Sequence, residues 1–252
     1  MKKNKIAVAI TAAIMMSASV LMADNHEQET MKLNMGSIKV KMGHGMEFRE
    51  GIAAWKDCYL ENDGDSQWSV FERQDGESGH YYVNFRMAKW GEMDEDSPAS
   101  EACGSIVQEQ IAPHMESSSW RWAESMPEVS KDEGTGNIFL VYYFRVKGGM
   151  GMQFNSVVEQ VTAATEAIEG DQGGYWYELY GGDEHAADYL VAVPFENYAE
   201  WDEDEPGAWE MAAEHYGEEK ATELRAQFSE SLDAGWDYTY ERIDELSNVS
   251  DD

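Results

Sequence analysis

The sequence predicts an α+β protein that contains two copies of one strand–helix–strand–strand–helix–strand unit. Residues 41–48 (KMGHGMEF) are repeated as residues 147–154 (KGGMGMQF), 106 positions later. Runs of β-branched and aromatic residues alternate with segments whose apolar residues recur at helical spacing. Of the 252 residues, 42% are hydrophobic and 12% are aromatic, which is ample for a folded core.

The second copy shows the order of elements more clearly. Its residues 138–147 (IFLVYYFRVK) predict a strand, which glycines at 148, 149 and 151 end. The remaining predicted elements are a helix over 152–168, strands over 175–180 and 188–195, a helix from a first turn at Pro206 to about 234, and a strand over 236–242.

The first copy predicts the same order, with strands near 32–41, 67–73, 80–87 and 119–124 and helices near 46–60 and 98–116. Further matches extend the repeat: Trp68 with Trp176 and Tyr81 with Tyr189 at an offset of 108, and Trp120 with Trp236 and Trp122 with Tyr238 at an offset of 116. The copies therefore occupy 24–130 and 137–248, joined by a polar linker over 131–136 and followed by an acidic tail over 249–252.

The first 23 residues have the features of a secretory signal peptide. Three lysines precede the apolar stretch 6–22, and Ala23 is followed by the acidic Asp24. An uncleaved N-terminal anchor is the alternative, since the stretch is near the lower length limit for a membrane span. We expect an exported protein, periplasmic or extracellular, without membrane contact after cleavage.

The charge of the chain excludes one large class of partners. Lys and Arg number 18 against 50 Asp and Glu, a net charge of −32, so the chain has no basic stripe that would neutralise nucleic-acid phosphates. The same excess of acid argues against docking on anionic lipid. It suits a saline medium, although a generally acidic soluble surface explains it equally well.

The only two cysteines are expected to form a disulfide. Cys58 lies late in the first predicted helix and Cys103 lies early in the second, and the corresponding residues of the second copy are Ala164 and Met211. The two helices of this unit lie antiparallel on one face of the sheet, and an exported protein matures in an oxidising compartment. The bond would close a loop of about 45 residues and stabilise the fold by ~3–4 kcal/mol.

Two ferredoxin-like βαββαβ units in one chain resemble the dimeric α+β barrel superfamily in its fused, two-repeat form. The resemblance rests on the element order and the duplication, and it covers nearly the whole mature chain. It implies two four-stranded sheets that face one another around a cavity, with the helices outside. One chain then makes a pseudo-dimer, so a monomer is expected.

Strand alternation divides the residues of the third strand between the two faces of this barrel. Tyr81, Val83, Phe85 and Met87 are apolar and are expected to face the helices. His80, Tyr82, Asn84 and Arg86 then face the interior, as does Arg145 of the fifth strand. In the second copy this inner face is largely apolar, so the first copy is expected to hold the site. The predicted ligand-binding residues are Tyr82, Asn84, Arg86 and Arg145, with Trp68 or Trp176 packing on the ligand.

These residues favour binding of a small aromatic or anionic molecule, because a guanidinium in an apolar cavity needs an anionic acceptor. For each arginine the alternative is a solvated position at the sheet edge or an ion pair within the protein, for instance with Glu178. The resemblance also implies an enzyme, a cofactor-independent monooxygenase acting on an electron-rich phenol or quinol. His80, Asn84 and Arg86 are then the catalytic candidates, although a surface position in a hairpin would equally explain His80.

Haem is a third expectation, because some two-repeat relatives bind it and His44 and its counterpart Met150 are types of residue that ligate haem iron. A Gly-rich turn leading into a helix is the structural alternative for His44. A structural envelope protein without a ligand is a fourth interpretation. We expect no metal site, since the acidic segments before Pro98 and Pro206 are explained by helix capping.

Overall fold

A computed structural model describes residues 30–131, 136–171, 173–203 and 205–249. The predicted signal peptide over 1–23, most of the linker over 131–136 and the end of the acidic tail lie outside the described residues. None of the helices in the described ranges is long and apolar enough to cross a membrane.

The first half of the chain follows the predicted order. Its strands and helices are β1 (Lys32–Val40), α1 (Gly45–Glu61), β2 (Trp68–Arg73), β3 (His80–Met87), α2 (Pro98–Ala102), α3 (Gly104–Ile106) and β4 (Met115–Ser125). Between α3 and β4 the chain continues as a π-helical turn (Val107–Ile111) and a 3-10 turn (Ala112–His114).

The second half repeats that order with longer helices. Its elements are β5 (Ile138–Val146), α4 (Gly151–Glu169), β6 (Tyr175–Tyr180), β7 (Tyr189–Phe195), α5 (Ala208–Tyr216), α6 (Glu218–Ser231) and β8 (Leu232–Arg242).

All eight strands pair antiparallel and form one closed barrel in the order β1-β3-β2-β8-β5-β7-β6-β4. The strand order is β4-β1-β3-β2 in the first half and β8-β5-β7-β6 in the second, and the pairs β2–β8 and β4–β6 join the halves. The predicted α+β class and the predicted barrel are therefore confirmed. Closure leaves no unpaired sheet edge, and it separates an inner face from an outer face on every strand.

The two loops that carry the internal repeat have the same geometry. Gly43 and Gly149 both have φ of 83°, a left-handed conformation that glycine adopts at little cost. A backbone hydrogen bond of 3.0 Å closes each turn, from His44 N–H to the Lys41 carbonyl in the first loop. Phe48 and Phe154, each in the first turn of its helix, are fully buried against the outer face of the sheet.

Two apolar cores lie between the barrel and the helices, one in each half. Of the residues predicted to face the helices, Tyr81, Val83 and Phe85 lie in the first core, whereas Met87 does not. The corresponding Tyr189, Val191 and Val193 lie in the second core. A third cluster, rich in tyrosine, fills part of the barrel interior. The strand alternation in the sequence thus predicted the inner and outer faces of β3 and β7.

The second helix of each half departs from the prediction. The segment 98–116 is broken into short helices and turns, with Gly104 opening α3 and Pro113 lying within the turn that precedes β4. In the second half Pro206 precedes the helix, which begins at Ala208. Gly217, with φ of 88°, then separates α5 from α6.

One match of the internal repeat is wrong by one residue. Gly36 pairs with Trp120, and its counterpart Tyr142 pairs with Asp237, so β4 and β8 correspond at an offset of 117. A shift of one residue along a strand exchanges its inner and outer faces. Trp120 and Trp236 therefore lie on opposite faces, and Trp120 is on the outside of the barrel, where it is 49% exposed. Trp236 instead points inward, where it stacks on Tyr143.

The predicted disulfide between Cys58 and Cys103 is present, with the two Cα atoms 5.9 Å apart. It joins the last turns of α1 to the residue between α2 and α3. Cys103 is completely buried, so the bond links α1 to a packed part of the segment that holds α2 and α3.

Candidate functional site

The barrel encloses a cavity of about 670 Å³, a volume typical of sites for small molecules. Inward-facing side chains from seven strands contribute to its wall. The lining residues include Leu33, Met35, Ser69, Phe71, Tyr82, Asn84, Arg86, Phe139, Val141, Tyr143, Tyr175, Tyr177, Leu190, Ala192, Tyr240 and Arg242.

Arg86 lies at the mouth of this cavity. It lines the cavity and is also exposed to solvent, so its guanidinium is at the boundary between the two. No described residue makes an ion pair or a side-chain hydrogen bond with it, whereas the neighbouring Arg242 is bound by Asp244 at 2.6 Å and by Asn137 at 3.1 Å. Within the described residues Arg86 is therefore a cation without an anionic partner, and it can bind an anionic group.

Asn84 lies one step deeper on the same face of β3. Its side-chain oxygen Oδ1 is buried and accepts no hydrogen bond within the described part of the chain. Leaving such an acceptor unpaired costs roughly 1–3 kcal/mol. A ligand that carries a hydroxyl or amine donor would satisfy it.

Three tyrosines surround the deeper part of the cavity. The hydroxyl of Tyr143 donates to the hydroxyl of Tyr240 at 3.1 Å, and the ring of Tyr82 meets that of Tyr240 edge to face at 5.0 Å. Burial raises the pKa of Tyr143 and that of Tyr240 far above the usual range for a phenol. The phenols of Tyr143 and Tyr240 therefore stay neutral and act as hydrogen-bond donors and acceptors but not as bases.

Arg121, which the sequence analysis missed, is the cation near the closed side of the tyrosine cluster. Its Nη2 donates to the carbonyl of Ala187 at 2.5 Å, and its Nε is buried without a partner among the described residues. Burial lowers the pKa of Arg121, and the nearby Tyr143 and Asp188 oppose that shift. The strand pairing places Arg121 on the inner face, because Arg121 pairs with Met35, which lines the cavity.

The chemistry available to the cavity follows from its titratable groups. Among the described lining residues these are tyrosines and arginines, without histidine, cysteine, aspartate or glutamate. The wall can therefore orient a ligand and stabilise negative charge, but it offers no group suited to removing a proton near neutral pH.

The structure corrects the role expected for His80. It lies at the start of β3, outside the cavity lining, and its Nε2 is 3.3 Å from a carboxylate oxygen of Glu77. Burial lowers the pKa of His80, and the hydrogen bond with Glu77 opposes this effect. The alternative interpretation, a histidine at the hairpin, describes it better than catalysis inside the barrel.

Arg145 is on the inward-facing side of β5, as predicted, but it is not part of the cavity wall. Its Nε donates to Asp233 at 2.7 Å, and its Nη1 lies 3.4 Å from Nδ1 of His185. Arg145 lies beyond Tyr143, near the end of the strand, where the carboxylate of Asp233 neutralises its charge. The structure therefore places Arg145 in an ion pair with Asp233 and outside the described cavity lining.

Trp68 and Trp176 are also removed from the candidate site. Trp68 is fully buried in the core between β2 and α1, and its Nε1 donates to the carbonyl of Leu246 at 2.8 Å. Trp176 stacks on Phe144 in the corresponding core of the second half, with ring centroids 5.7 Å apart. Both residues face the helices, so neither packs on a ligand in the barrel.

The donor set of the cavity does not suit a histidine-ligated haem. His44 lies outside the barrel at the N-terminus of α1, and no histidine or cysteine occurs among the described lining residues. Haem therefore remains an expectation from the resemblance alone.

The buried phenol of Tyr177 predicts a loss of stability in alkali. Burial raises its pKa to about 12, and the nearby charge of Arg86 opposes this shift. The unfolded chain ionises first, at about pH 10, so stability is complete below that pH and falls until the folded phenol ionises near pH 12. We expect a loss of roughly 3 kcal/mol over this window, measured by urea unfolding, and Tyr177→Phe should remove that share. An identical alkaline loss in Tyr177→Phe would contradict the assignment.

No protein-family model matches the chain, and no curated protein matches it by sequence. Solved structures do match it. A putative monooxygenase from Lactobacillus acidophilus NCFM is similar with a TM-score of 0.54 at 10% identity, over 85% of this chain and 94% of that one. An anthrone oxidase-like protein gives a TM-score of 0.51 at 7% identity, over 86% and 92%.

A mutant chlorite dismutase from Candidatus Nitrospira defluvii, solved in complex with cyanide, gives a TM-score of 0.50 at 8% identity, over 86% of this chain and 92% of that one. At such low identity these likenesses show the fold alone. The chain has the α+β barrel fold of these proteins, in agreement with the dimeric α+β barrel architecture that its sequence predicted.

Proposed function

We propose that this chain is an exported binding protein that holds a small aromatic or anionic molecule inside the barrel. The observation that carries the proposal is Arg86, which lies at the mouth of a cavity lined by tyrosines and has no anionic partner among the described residues. A carboxylate, sulfonate or phenolate would pair with the guanidinium, and a ring would pack among the phenols. The unpaired oxygen of Asn84 favours a ligand with a hydroxyl or amine donor.

We also infer that the two halves arose as fused repeats and that one chain is the functional unit. The equal strand orders and the matching β1–α1 and β5–α4 loops support this inference. Only the first half supplies polar groups from its third strand, because Leu190, Ala192 and Pro194 occupy the positions that correspond to Tyr82, Asn84 and Arg86. A monomer with one ligand site is expected.

A cofactor-independent monooxygenase is the second candidate, favoured by the two similar structures described as a putative monooxygenase and as anthrone oxidase-like. Arg86 and Asn84 would then stabilise the anion of a phenol or quinol substrate. The described cavity wall lacks a base near neutral pH, so a substrate that ionises readily in water is required. Oxygen uptake with a quinol, lost in Asn84→Ala, would support catalysis over binding.

The binding proposal predicts that Arg86 controls ligand affinity. With the anionic aromatic dye 1-anilinonaphthalene-8-sulfonate as the probe, Arg86→Gln is expected to weaken binding at least 10-fold, because a charge-assisted hydrogen bond contributes roughly 1.5–3 kcal/mol. Arg145→Gln is the matched control and should bind normally, because Asp233 already neutralises that residue. Equal affinities in the two variants would exclude the site.

Native mass spectrometry of the protein exported by its own leader identifies the natural ligand class. A retained molecule that is absent from Arg86→Gln would support the proposal. An absorption band of haem would replace it with the haem interpretation. Probe binding that is unaffected by Arg86 would favour a structural protein.

A further inference from the structure

The loop between β1 and α1 brings together two histidines that the barrel does not use. Nδ1 of His44 lies 2.9 Å from Nδ1 of His114, although the residues are 70 positions apart in the chain. Their ring centroids are 5.2 Å apart, close to the largest separation that two imidazole rings can have when their Nδ1 atoms are in contact. The two rings therefore point at each other head to head, each with a ring nitrogen directed at the other.

The backbone holds this pair in place. Lys41 N–H donates to the carbonyl of His114 at 2.9 Å, directly beyond the point where Val40 of β1 pairs with Met115 of β4. His44 also begins α1 by accepting the N–H of Phe48 at 3.0 Å, and Phe48 is fully buried. Both histidines thus extend from anchored positions on the fold, and both are half-buried rather than free in solvent.

Two methionines flank His44 and contribute little to any core. Met42 is 96% exposed and Met46 is 74% exposed, two residues before and two residues after the histidine. Apolar side chains of this size are normally buried. A thioether is a soft metal ligand on a flexible chain, so exposed methionines beside paired imidazoles have a chemical use that packing does not explain.

We propose that His44 and His114, assisted by the thioethers of Met42 and Met46, bind one cuprous ion. Imidazole and thioether together favour Cu(I) over harder cations. With metal–nitrogen bonds of about 2 Å, the two nitrogens need to separate by roughly 1 Å to admit an ion between them, a change within reach of side-chain rotation.

The surroundings of the pair agree with a soft ion rather than a hard one. Within the described ranges no group of three or more His, Cys, Asp and Glu side chains is placed to hold a metal. Calcium, magnesium or four-coordinate zinc would need such a group. Glu47 in the first turn of α1 and the net charge of −32 offset the positive end of the helix dipole near the ion.

The matching loop of the second half is an internal control. Met150 stands in the place of His44, and Met152, like Met46, is largely exposed, at 87%. Lys147 N–H donates to the carbonyl of Ser231, so a serine occupies the position of His114. This loop keeps thioethers but has no imidazole, and it should bind Cu(I) at least 100-fold more weakly.

The test is an anaerobic titration of the full exported chain with Cu(I) alone, in competition with a chromophoric cuprous chelator. Every protein carries His26→Ala, which removes a histidine outside the described residues. We expect one tightly bound Cu(I) per chain. Affinity should fall at least 100-fold in the double variant His44→Ala/His114→Ala and about 10-fold in Met42→Leu/Met46→Leu. Met152→Leu should bind as the parent protein does.

Circular dichroism and thermal unfolding verify that each variant is folded, which is expected because both histidines lie at the surface of the first core. X-ray absorption of the loaded protein should show nitrogen and sulfur scatterers together. Unchanged Cu(I) affinity in the double-histidine variant, or failure of the parent protein to compete with the chelator, would overturn the proposal.

Discussion

Trp68→Ala is expected to lower the free energy of unfolding by roughly 4 kcal/mol and to leave ligand affinity in the barrel unchanged. Trp68 has no exposed surface, and the rings of Trp55, Tyr59 and Phe85 lie 5.1, 5.5 and 5.8 Å from its own. Truncation removes these contacts and leaves a cavity. It also removes the indole N–H that donates a hydrogen bond to the carbonyl of Leu246, and it leaves this buried acceptor unpaired.

Urea unfolding gives the loss of stability, and titration with the anionic dye gives the affinity. Trp68→Phe is the matched control, because it keeps an aromatic ring in the core but removes the hydrogen bond to Leu246. Its loss should be nearer 1–2 kcal/mol. If a folded Trp68→Phe protein lost ligand affinity as strongly as Arg86→Gln, this result would show that Trp68 contributes to ligand binding.

The faces of the strands were predictable from the sequence because side-chain alternation is a local property. On β3, the residues Tyr82, Asn84 and Arg86 line the cavity as predicted, and Tyr81 and Val83 face the helices. The internal repeat extended this reasoning to β7. The disulfide was predictable for a related reason, since the order of elements already places the two helices side by side.

Side-chain alternation did not predict which residues of a strand reach the cavity or which side chains pair with its charged residues. Alternation places Arg145 on the correct face of β5, but it does not reveal that Asp233 lies within 2.7 Å of its guanidinium. Trp68 and Trp176 were assigned to a ligand by their size, although indole rings of this kind also fill cores. The correct faces follow once β2 and β6 are placed in register with β3 and β7.

The exact match between the repeats and the contacts between distant loops were also not predictable from the sequence. Matching Trp120 to Trp236 placed two residues on the same face, whereas the ladder places them on opposite faces. The contact between His44 and His114 required the closed turn at Lys41 and the path of the chain into β4, neither of which is encoded in local periodicity.

The disulfide predicts the second large effect on stability. Cys58→Ser/Cys103→Ser is expected to lower the free energy of unfolding by about 3–4 kcal/mol, because the bond closes a loop between residues 45 positions apart. Burial of a serine hydroxyl at the completely buried position 103 adds to the loss. The midpoint of urea unfolding should fall for the variant, and reduction of the parent protein should reproduce most of the change.

The second half of the chain supplies the control that separates the cross-link from the packing. Its counterparts of Cys58 and Cys103 are Ala164 and Met211, both buried and joined by no bond. Cys58→Ala/Cys103→Met reproduces that apolar pair and avoids buried hydroxyl groups. If the cross-link acts mainly on the unfolded chain, this variant should still lose about 3 kcal/mol. If the variant is as stable as the parent protein, apolar packing between α1 and the segment after α2 is sufficient to stabilise the first half. The disulfide would then contribute little to stability.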